Sequence, residues 1–139
     1  MLRLIKLIYL ACLLLFTPLI LIGCGSQALS DEFDEAEVKE AAVMIVDLIN
    51  VQDSDSLLNY STPRLQAAIP GDVWEDVFAA IGEGGNFVAI DRLSVRGITE
   101  RSSGEKFAVV TVRAQYEKQT FVFTISFTEQ MKLAGLYYR

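Results

Sequence analysis

The feature that most constrains this fold is a change of hydrophobic period after residue 86. Before it, apolar residues recur at the three- and four-residue spacing of amphipathic helices, whereas residues 106–128 mostly alternate apolar and polar side chains. Antiparallel strands alternate in this way because one face packs on the core and the other meets solvent. The chain is therefore expected to form an α+β domain with N-terminal helices packed on a curved antiparallel four-stranded sheet.

Capping residues predict where the helices begin. Asp34 followed by Glu37 fits a capping box at the start of a helix that runs to about residue 50. Asp53, and either Ser61 or Thr62, are cap candidates for two short helices or turns, and residues 71–82 carry the spacing of a further amphipathic helix. We therefore expect two amphipathic helices before the sheet, with two short helices or turns between them.

Residues 87–99 are predicted to form a long strand that contains a β-bulge. Their apolar positions change parity between Ile90 and Leu93, across Asp91 and Arg92. An inserted residue shifts the alternation of a strand in this manner. A bulge at this position could direct the Asp91 carboxylate towards the interior of the domain.

The last strand is expected to return through a tight turn near Glu129 and Gln130. The third strand before this turn presents an aromatic face, with Phe at every second or fourth position. Cross-strand pairing would then bring Ala134, Leu136 and Tyr138 onto that aromatic face.

The N-terminus has the pattern of a secretory signal. Arg3 and Lys6 precede an apolar run over residues 7–22, which is close to the length of a membrane helix. Residues 21–24, with the sequence LIGC, resemble the lipobox of bacterial lipoproteins. In that family the cysteine receives a diacylglyceryl group, with acyl chains of the palmitate type, and the signal is cut before it. The alternative is a retained N-terminal helix in which the cysteine is incidental.

The lipobox resemblance implies a division of the chain and a location. Residues 1–23 would be the signal peptide, residues 24–33 the lipidated Cys24 with a short flexible tether, and residues 34–139 the domain. The secreted chain would be held by lipid at the extracytoplasmic face of the cell membrane, in the cell envelope. Loss of Arg3 and Lys6 makes its formal charge −8, against −6 for the whole chain. We expect such an acidic domain to be held off an anionic lipid surface.

The order of helices and strands resembles the cone-shaped fold of the nuclear transport factor 2-like superfamily. More narrowly, Trp74 in PGDVWEDVFAAIGEGGNF, the strand pair KFAVVTVRAQYEKQTFVFTISF and the closing KLAGLYY resemble a bacterial domain of unknown function. That domain occurs in small lipoproteins and beside some serine hydrolase domains. The resemblance spans roughly residues 34–139, implies the cone fold and supplies no established catalytic residues.

Composition excludes several kinds of chemistry. The sequence contains no histidine, and no cysteine follows Cys24. Ser-His-Asp and Cys-His catalysis and most zinc sites are therefore excluded, and we predict neither a metal nor a cofactor. No basic stripe is interleaved with aromatic residues, so nucleic-acid binding is not expected.

The candidate pocket residues are mostly aromatic. They could line a ligand pocket or could simply form the core. The set comprises Trp74, Phe78, Asp91, Tyr116, Phe121 and Phe123.

These observations favour a noncatalytic domain that binds a small apolar ligand or an envelope protein. The alternative is a small cone-fold enzyme of the isomerase or dehydratase type that uses Asp91 with a tyrosine, since a carboxyl group desolvated in an apolar cavity carries protons well. Exposed strand edges also leave homodimerisation open.

Overall fold

A computed structural model describes residues 27–139, where four helices precede one sheet. The elements are α1 (Glu35–Asn50), α2 (Ser54–Tyr60), α3 (Pro63–Ala68), α4 (Gly71–Gly82), β1 (Phe87–Thr99), β2 (Lys106–Tyr116), β3 (Thr120–Thr128) and β4 (Leu133–Tyr138). The strands pair antiparallel in the order β1-β2-β3-β4. This confirms the predicted α+β class. The predictions for the signal peptide and for Cys24 lie outside the described residues.

The predicted caps begin the first three helices. The Asp34 carboxylate accepts a hydrogen bond from the Glu37 backbone N–H at 2.9 Å, and the Asp53 carboxylate accepts one from the Ser56 N–H at 3.0 Å. The Thr62 hydroxyl accepts one from the N–H of Leu65 in α3. Each such cap contributes about 1 kcal/mol to helix stability.

The two faces of the sheet differ in what covers them. On the face towards the helices, here called the inner face, β2 and β3 contribute fully buried side chains, while α1 and α4 supply the opposing layer. These strand residues are Ala108, Val110, Val112, Ala114, Phe123, Ile125 and Phe127. The residues between them, such as Thr111, Arg113 and Thr124, lie on the opposite side, here called the outer face. The core therefore occupies only one side of the sheet.

The β-bulge predicted in β1 is confirmed. The β1–β2 register slips between Ile90 and Arg92, which leaves Asp91 as the inserted residue. A second irregularity lies between Phe87 and Ala89 and has no counterpart in the predicted pattern. Both fall in the first half of β1, so the curvature they add is concentrated at the end where the strand follows α4.

The prediction for β4 is wrong at one position. Leu136 pairs with Ile125 and Tyr138 pairs with Phe123, as expected for the inner face. A register slip occurs before them, however, because Phe127 pairs with Leu133 whereas Ser126 pairs with Gly135. Ala134 is the inserted residue, and Leu133 takes the buried place that was expected for Ala134.

Residues 27–33 are packed on the sheet, contrary to the flexible tether that was expected there. The Gly97 N–H donates a hydrogen bond to the Gln27 carbonyl oxygen at 2.8 Å, at the free edge of β1. Phe33 is buried in the core, and Glu32 forms an ion pair with Lys106 of β2. Within residues 27–139, no helix is both long enough and apolar enough to cross a membrane.

Candidate functional site

The inner face is left open at one end, where a cleft of about 410 Å³ lies between the last residues of α1 and α4 and the β2–β3 hairpin. Its apolar wall comes from Ile49, Phe78, Ile81 and Phe87. Polar groups of Asn50, Gln52, Asn86, Glu117 and Lys118 complete the lining. The volume falls within the range of small-molecule pockets, roughly 300–1,000 Å³.

A buried polar pair lies at this cleft. The Tyr116 hydroxyl donates a hydrogen bond to Asn50 Oδ1 at 2.5 Å, which links the end of β2 to the end of α1. Burial raises the pKa of Tyr116 to about 12, the hydrogen bond to Asn50 opposes the rise, and the Asp47 carboxylate adds to it. The tyrosine is therefore a neutral hydroxyl across the physiological pH range.

The Asn50 amide nitrogen has no partner. Asn50 Nδ2 is buried, and no hydrogen-bond acceptor lies within reach of it in residues 27–139. A buried donor without an acceptor costs about 1–3 kcal/mol relative to a paired one. A ligand atom that accepts a hydrogen bond here would remove that cost, so the pair at the cleft offers Asn50 as a donor and the Tyr116 oxygen as an acceptor.

The aromatic residues predicted for a pocket lie together in one cluster, but some line the cleft and others are buried beneath it. Tyr116 packs edge-on against Phe121 with ring centroids 5.2 Å apart, and Phe121 lies 6.3 Å from Phe123. Trp74 stacks on Phe78 at 6.1 Å. Phe78 and Tyr116 line the cleft, whereas Trp74 and Phe123 are fully buried beneath it. Pocket and core are therefore two layers of the same cluster.

Asp91 does not join this cluster. The Gln115 side-chain amide donates a hydrogen bond to Asp91 Oδ2 at 2.9 Å, and Arg113 lies 3.5 Å from the same oxygen. Gln115 and Arg113 are exposed outer-face residues that flank buried Ala114. The expectation that the bulge directs Asp91 inwards is wrong, because two outer-face side chains hold its carboxylate on the solvent side of the sheet.

A tight loop after α4 forms one wall of the cleft. A Cβ at Gly84 would lie 2.7 Å from the Phe121 ring, and Gly85 has a φ of +80° that favours glycine. The Glu117 carboxylate accepts hydrogen bonds from the Asn86 backbone N–H at 2.9 Å and from its side-chain amide at 3.2 Å. These bonds lower the pKa of Glu117.

Sequence reasoning missed several residues of the site. Asn50, Phe87 and Glu117 are contributed by the end of a helix, the start of a strand and a hairpin turn, and none belongs to a local motif. The paired glycines in EGGN were the one available indication that backbone and side chains approach closely here.

The described residues offer few groups for acid–base or metal chemistry. Nowhere in residues 27–139 do three or more potential metal-ligating side chains come together. The cleft offers hydrogen bonds from neutral groups next to an apolar wall, with charged groups only at its rim. This arrangement is suited to holding an uncharged polar group attached to an apolar body.

Helices layered on the inner face of a curved four-stranded antiparallel sheet, with a cleft at one end of that face, place the chain among α+β domains of the cone type. Residues 42–136 match the model of the DUF3887 family, described as protein of unknown function, and the chain belongs to this family.

One solved structure has the same fold. It is the NMR structure of a protein from Ruminococcus gnavus ATCC 29149, which superposes with a TM-score of 0.70 at 18% sequence identity. The match covers 81% of this chain and 96% of that one. At this identity the likeness shows the fold alone. None of the curated proteins matches the sequence.

Proposed function

We propose that this protein is a lipoprotein anchored at the extracytoplasmic face of the cell membrane, and that its domain binds a small ligand without transforming it. The observation that carries the binding role is the open cleft with the unpartnered Asn50 amide beside the Tyr116 hydroxyl. Two buried side-chain donors in residues 27–139 lack a partner, Asn50 Nδ2 and Trp74 Nε1, and only Asn50 lines the cleft. An unpaired donor at an open cleft can be satisfied by a ligand.

The chemistry of the cleft favours a ligand with an apolar body and one uncharged acceptor. Phe78 and Phe87 supply flat apolar surface, and Asn50 Nδ2 supplies the donor. Asp47 and Glu117 place two negative charges around the cleft, and Lys118 places one positive charge at its rim. The balance of charge is negative, which favours a carbonyl or ether oxygen over an anionic group at Asn50.

A noncatalytic role is supported by what the cleft groups can do at neutral pH. Tyr116, with a pKa of about 12, exchanges its proton poorly near pH 7. The alternative enzyme would use Asp91 with a tyrosine, but Asp91 is held by Arg113 and Gln115 on the outer face. Tyr116 lies on the inner face, so the sheet separates the two groups.

The anchoring role is supported by the N-terminal sequence. A basic start, an apolar run and the lipobox-like LIGC precede the domain by only a few residues. A diacylglyceryl group at Cys24 would hold the chain by two acyl chains, and each buried methylene contributes about 0.8 kcal/mol. The cone shape of the domain also supports a relationship to the nuclear transport factor 2-like superfamily.

Binding in the cleft can be tested with a matched pair of glycine substitutions in α4. Gly82 lines the cleft, and a Cβ there would meet no atom within 4 Å, so Gly82→Leu is accommodated at its Cβ and adds side-chain volume at the cleft. Gly71, at the start of the same helix, is equally open and is not among the cleft residues. Gly71→Leu is therefore the control.

The probe is 6-propionyl-2-(dimethylamino)naphthalene, an uncharged apolar dye that carries one carbonyl acceptor and whose emission shifts to shorter wavelength in an apolar site. We expect the full chain to bind it and Gly82→Leu to weaken binding about tenfold, which corresponds to about 1.4 kcal/mol. Gly71→Leu should bind as the unsubstituted chain does. Equal binding by all three proteins, or no binding by any of them, would count against the cleft as a ligand site.

A further inference from the structure

Charge is segregated between the two layers of the domain. The four helices contain eight acidic and two basic residues. The four strands contain a single acidic residue, Asp91, and four basic ones, Arg92, Arg96, Lys106 and Arg113. The net charge of −6 for the whole chain therefore conceals a sheet that is basic.

The register of the strands places the arginines together on the outer face. Arg92 pairs directly with Arg113, and Arg96 pairs with Val109, which lies further along the same side of β2. Arg139 exchanges backbone hydrogen bonds with Val122, the β3 partner of Arg113. Four arginines thus lie on the outer face, where Asp91 is the one carboxylate within the strands and Glu100 is a further one at the end of the face near Ile98.

Apolar side chains lie at one end of this basic face. Ile98 of β1 pairs with Phe107 of β2, and both border a shallow groove of about 310 Å³ together with Tyr137 of β4. Two charged side chains of opposite sign, Arg64 and Glu100, also line this groove. The Tyr137 side chain is 72% exposed. Aromatic and aliphatic residues next to arginines are the composition of protein surfaces that lie in the interfacial region of a membrane.

The segment that leads to the proposed lipid anchor starts near this same end of the outer face. Gln27 is hydrogen-bonded to Gly97, the neighbour of Ile98, and Cys24 precedes Gln27 by three residues. Three residues span at most about 11 Å when fully extended. An acyl anchor at Cys24 would therefore hold the β1 edge of the sheet close to the bilayer surface.

We propose that the outer face of the sheet docks on the anionic surface of the membrane, with the arginines against lipid phosphates and Ile98, Phe107 and Tyr137 at the interface. This inference rests on the proposed anchor. The acidic helices lie on the other side of the sheet, a layer away at about 10 Å, which equals the Debye length in about 0.1 M salt. Salt therefore screens the repulsion between the acidic helices and the anionic lipid, whereas the arginines lie directly against the lipid. In this orientation the cleft, which is on the helix side of the sheet, faces away from the bilayer.

The test uses the purified full chain in vesicles of phosphatidylcholine, alone or mixed with phosphatidylglycerol. A single cysteine is introduced at Thr124 in the middle of the outer face or at exposed Glu75 on α4, and each is labelled with a fluorophore. Headgroup nitroxide lipids quench the label when it is close to the surface. We expect the label of Thr124→Cys to be quenched several-fold more than that of Glu75→Cys, and only when phosphatidylglycerol is present.

Two triple variants with the same change in net charge show whether docking depends on the arginines of the outer face or only on the net charge of the chain. The triple variant Arg92→Gln, Arg96→Gln, Arg113→Gln should abolish the difference between the two labels. The triple variant Lys39→Gln, Lys118→Gln, Lys132→Gln removes the same charge elsewhere and should preserve it. Equal quenching of both labels, stronger quenching at Glu75→Cys, or equal effects of the two triple variants would overturn the proposal.

The intact mass of the purified chain distinguishes a failure of the docking proposal from a failure of the anchor proposal. A chain with diacylglyceryl on Cys24 but equal quenching overturns the docked face alone. An unmodified Cys24 overturns the anchor, and the quenching ratio is then measured in the Cys12→Ala, Cys24→Ala background. Unequal quenching in that background supports the face without the anchor, and equal quenching overturns it.

Discussion

The inner and outer faces of the sheet are built from alternate residues of the same strands, yet one is buried under the helices and the other carries exposed charged and polar side chains. In β3, Phe123 and Ile125 are fully buried under the helices, while Thr124 between them lies on the uncovered side. In β2, buried Val112 is followed by the exposed Arg113. Because successive side chains of a strand point to opposite faces of the sheet, one segment contributes both to the core and to the surface.

The two sides of the domain also differ in charge, which the net charge of the whole chain does not reveal. The composition is acidic overall, and eight of the eighteen acidic residues lie in the four helices, whereas one lies in a strand. The outer face has the opposite sign because its strands contribute arginines and almost no carboxylates. The expectation that an acidic domain is held off anionic lipid rests on net charge, whereas the proposed docking rests on the charges within about 10 Å of the surface.

The largest expected difference between the faces is in stability. Phe123→Ala removes a fully buried ring from the inner face and should lower the free energy of unfolding by about 3–5 kcal/mol. Thr124→Ala, the next residue on the outer face, should change it by no more than about 0.5 kcal/mol. Urea unfolding measures both. Similar costs at the two positions would contradict the assignment of the faces.

A smaller difference is expected between two strand glycines. A Cβ on Gly97 would overlap the Ala28 carbonyl oxygen on the inner face, so Gly97→Ala should displace residues 27–29 and cost about 1–3 kcal/mol. A Cβ on Gly135 would meet Ser126 on the outer face at 3.6 Å, an ordinary contact.

Gly135→Ala is therefore the control and should leave the free energy of unfolding within about 0.5 kcal/mol. Hydrogen exchange at the backbone N–H of position 97, measured in the unsubstituted chain and in Gly97→Ala, reports whether the bond to Gln27 persists. Retention of that bond in Gly97→Ala, with no loss of stability, would show that residues 27–33 do not depend on this close approach.

The smallest expected effect is a dependence on alkaline pH. Burial raises the pKa of Tyr116 from 10.0 to about 12, so the folded state favours the neutral phenol. The resulting stabilisation is fully present below pH 10 and is lost as the pH rises through about 12. Tyr116→Phe should lose less stability over this range than the unsubstituted chain.

Tyr137→Phe changes a tyrosine on the outer face and is the matched control for the pH experiment. It should lose stability over the alkaline range as the unsubstituted chain does. Denaturant unfolding at a series of pH values measures the slopes. An identical slope in Tyr116→Phe would contradict the buried, neutral state of that phenol.

Local signals predicted most of the fold. Caps at Asp34, Asp53 and Thr62 begin helices, and the alternation in β2 and β3 identifies which residues are buried. These features depend on neighbours within a few residues, so the sequence expresses them directly. The parity change around Asp91 located a bulge for the same reason.

The errors concern partners that lie far apart in the sequence. The direction of the Asp91 side chain is set by Arg113 and Gln115 on the adjacent strand. The slip at Ala134 is a property of the pairing between β3 and β4, which the pattern of β4 alone does not show. Asn50 meets Tyr116 across 66 residues, so no local pattern marks the polar pair of the cleft. The aromatic residues of the candidate pocket could be predicted because each one also fits the helix or strand spacing of apolar residues in its own segment.

The proposed anchor at Cys24 is the premise on which the proposed orientation of the sheet at the membrane depends. The most direct measurement is the intact mass and membrane fractionation of the expressed full-length chain beside Cys24→Ala. The proposed function predicts that the unsubstituted chain loses residues 1–23, gains a diacylglyceryl group and fractionates with membranes, while Cys24→Ala does not undergo these changes. Two chains that both retain residues 1–23 and both remain in the membrane fraction would contradict it.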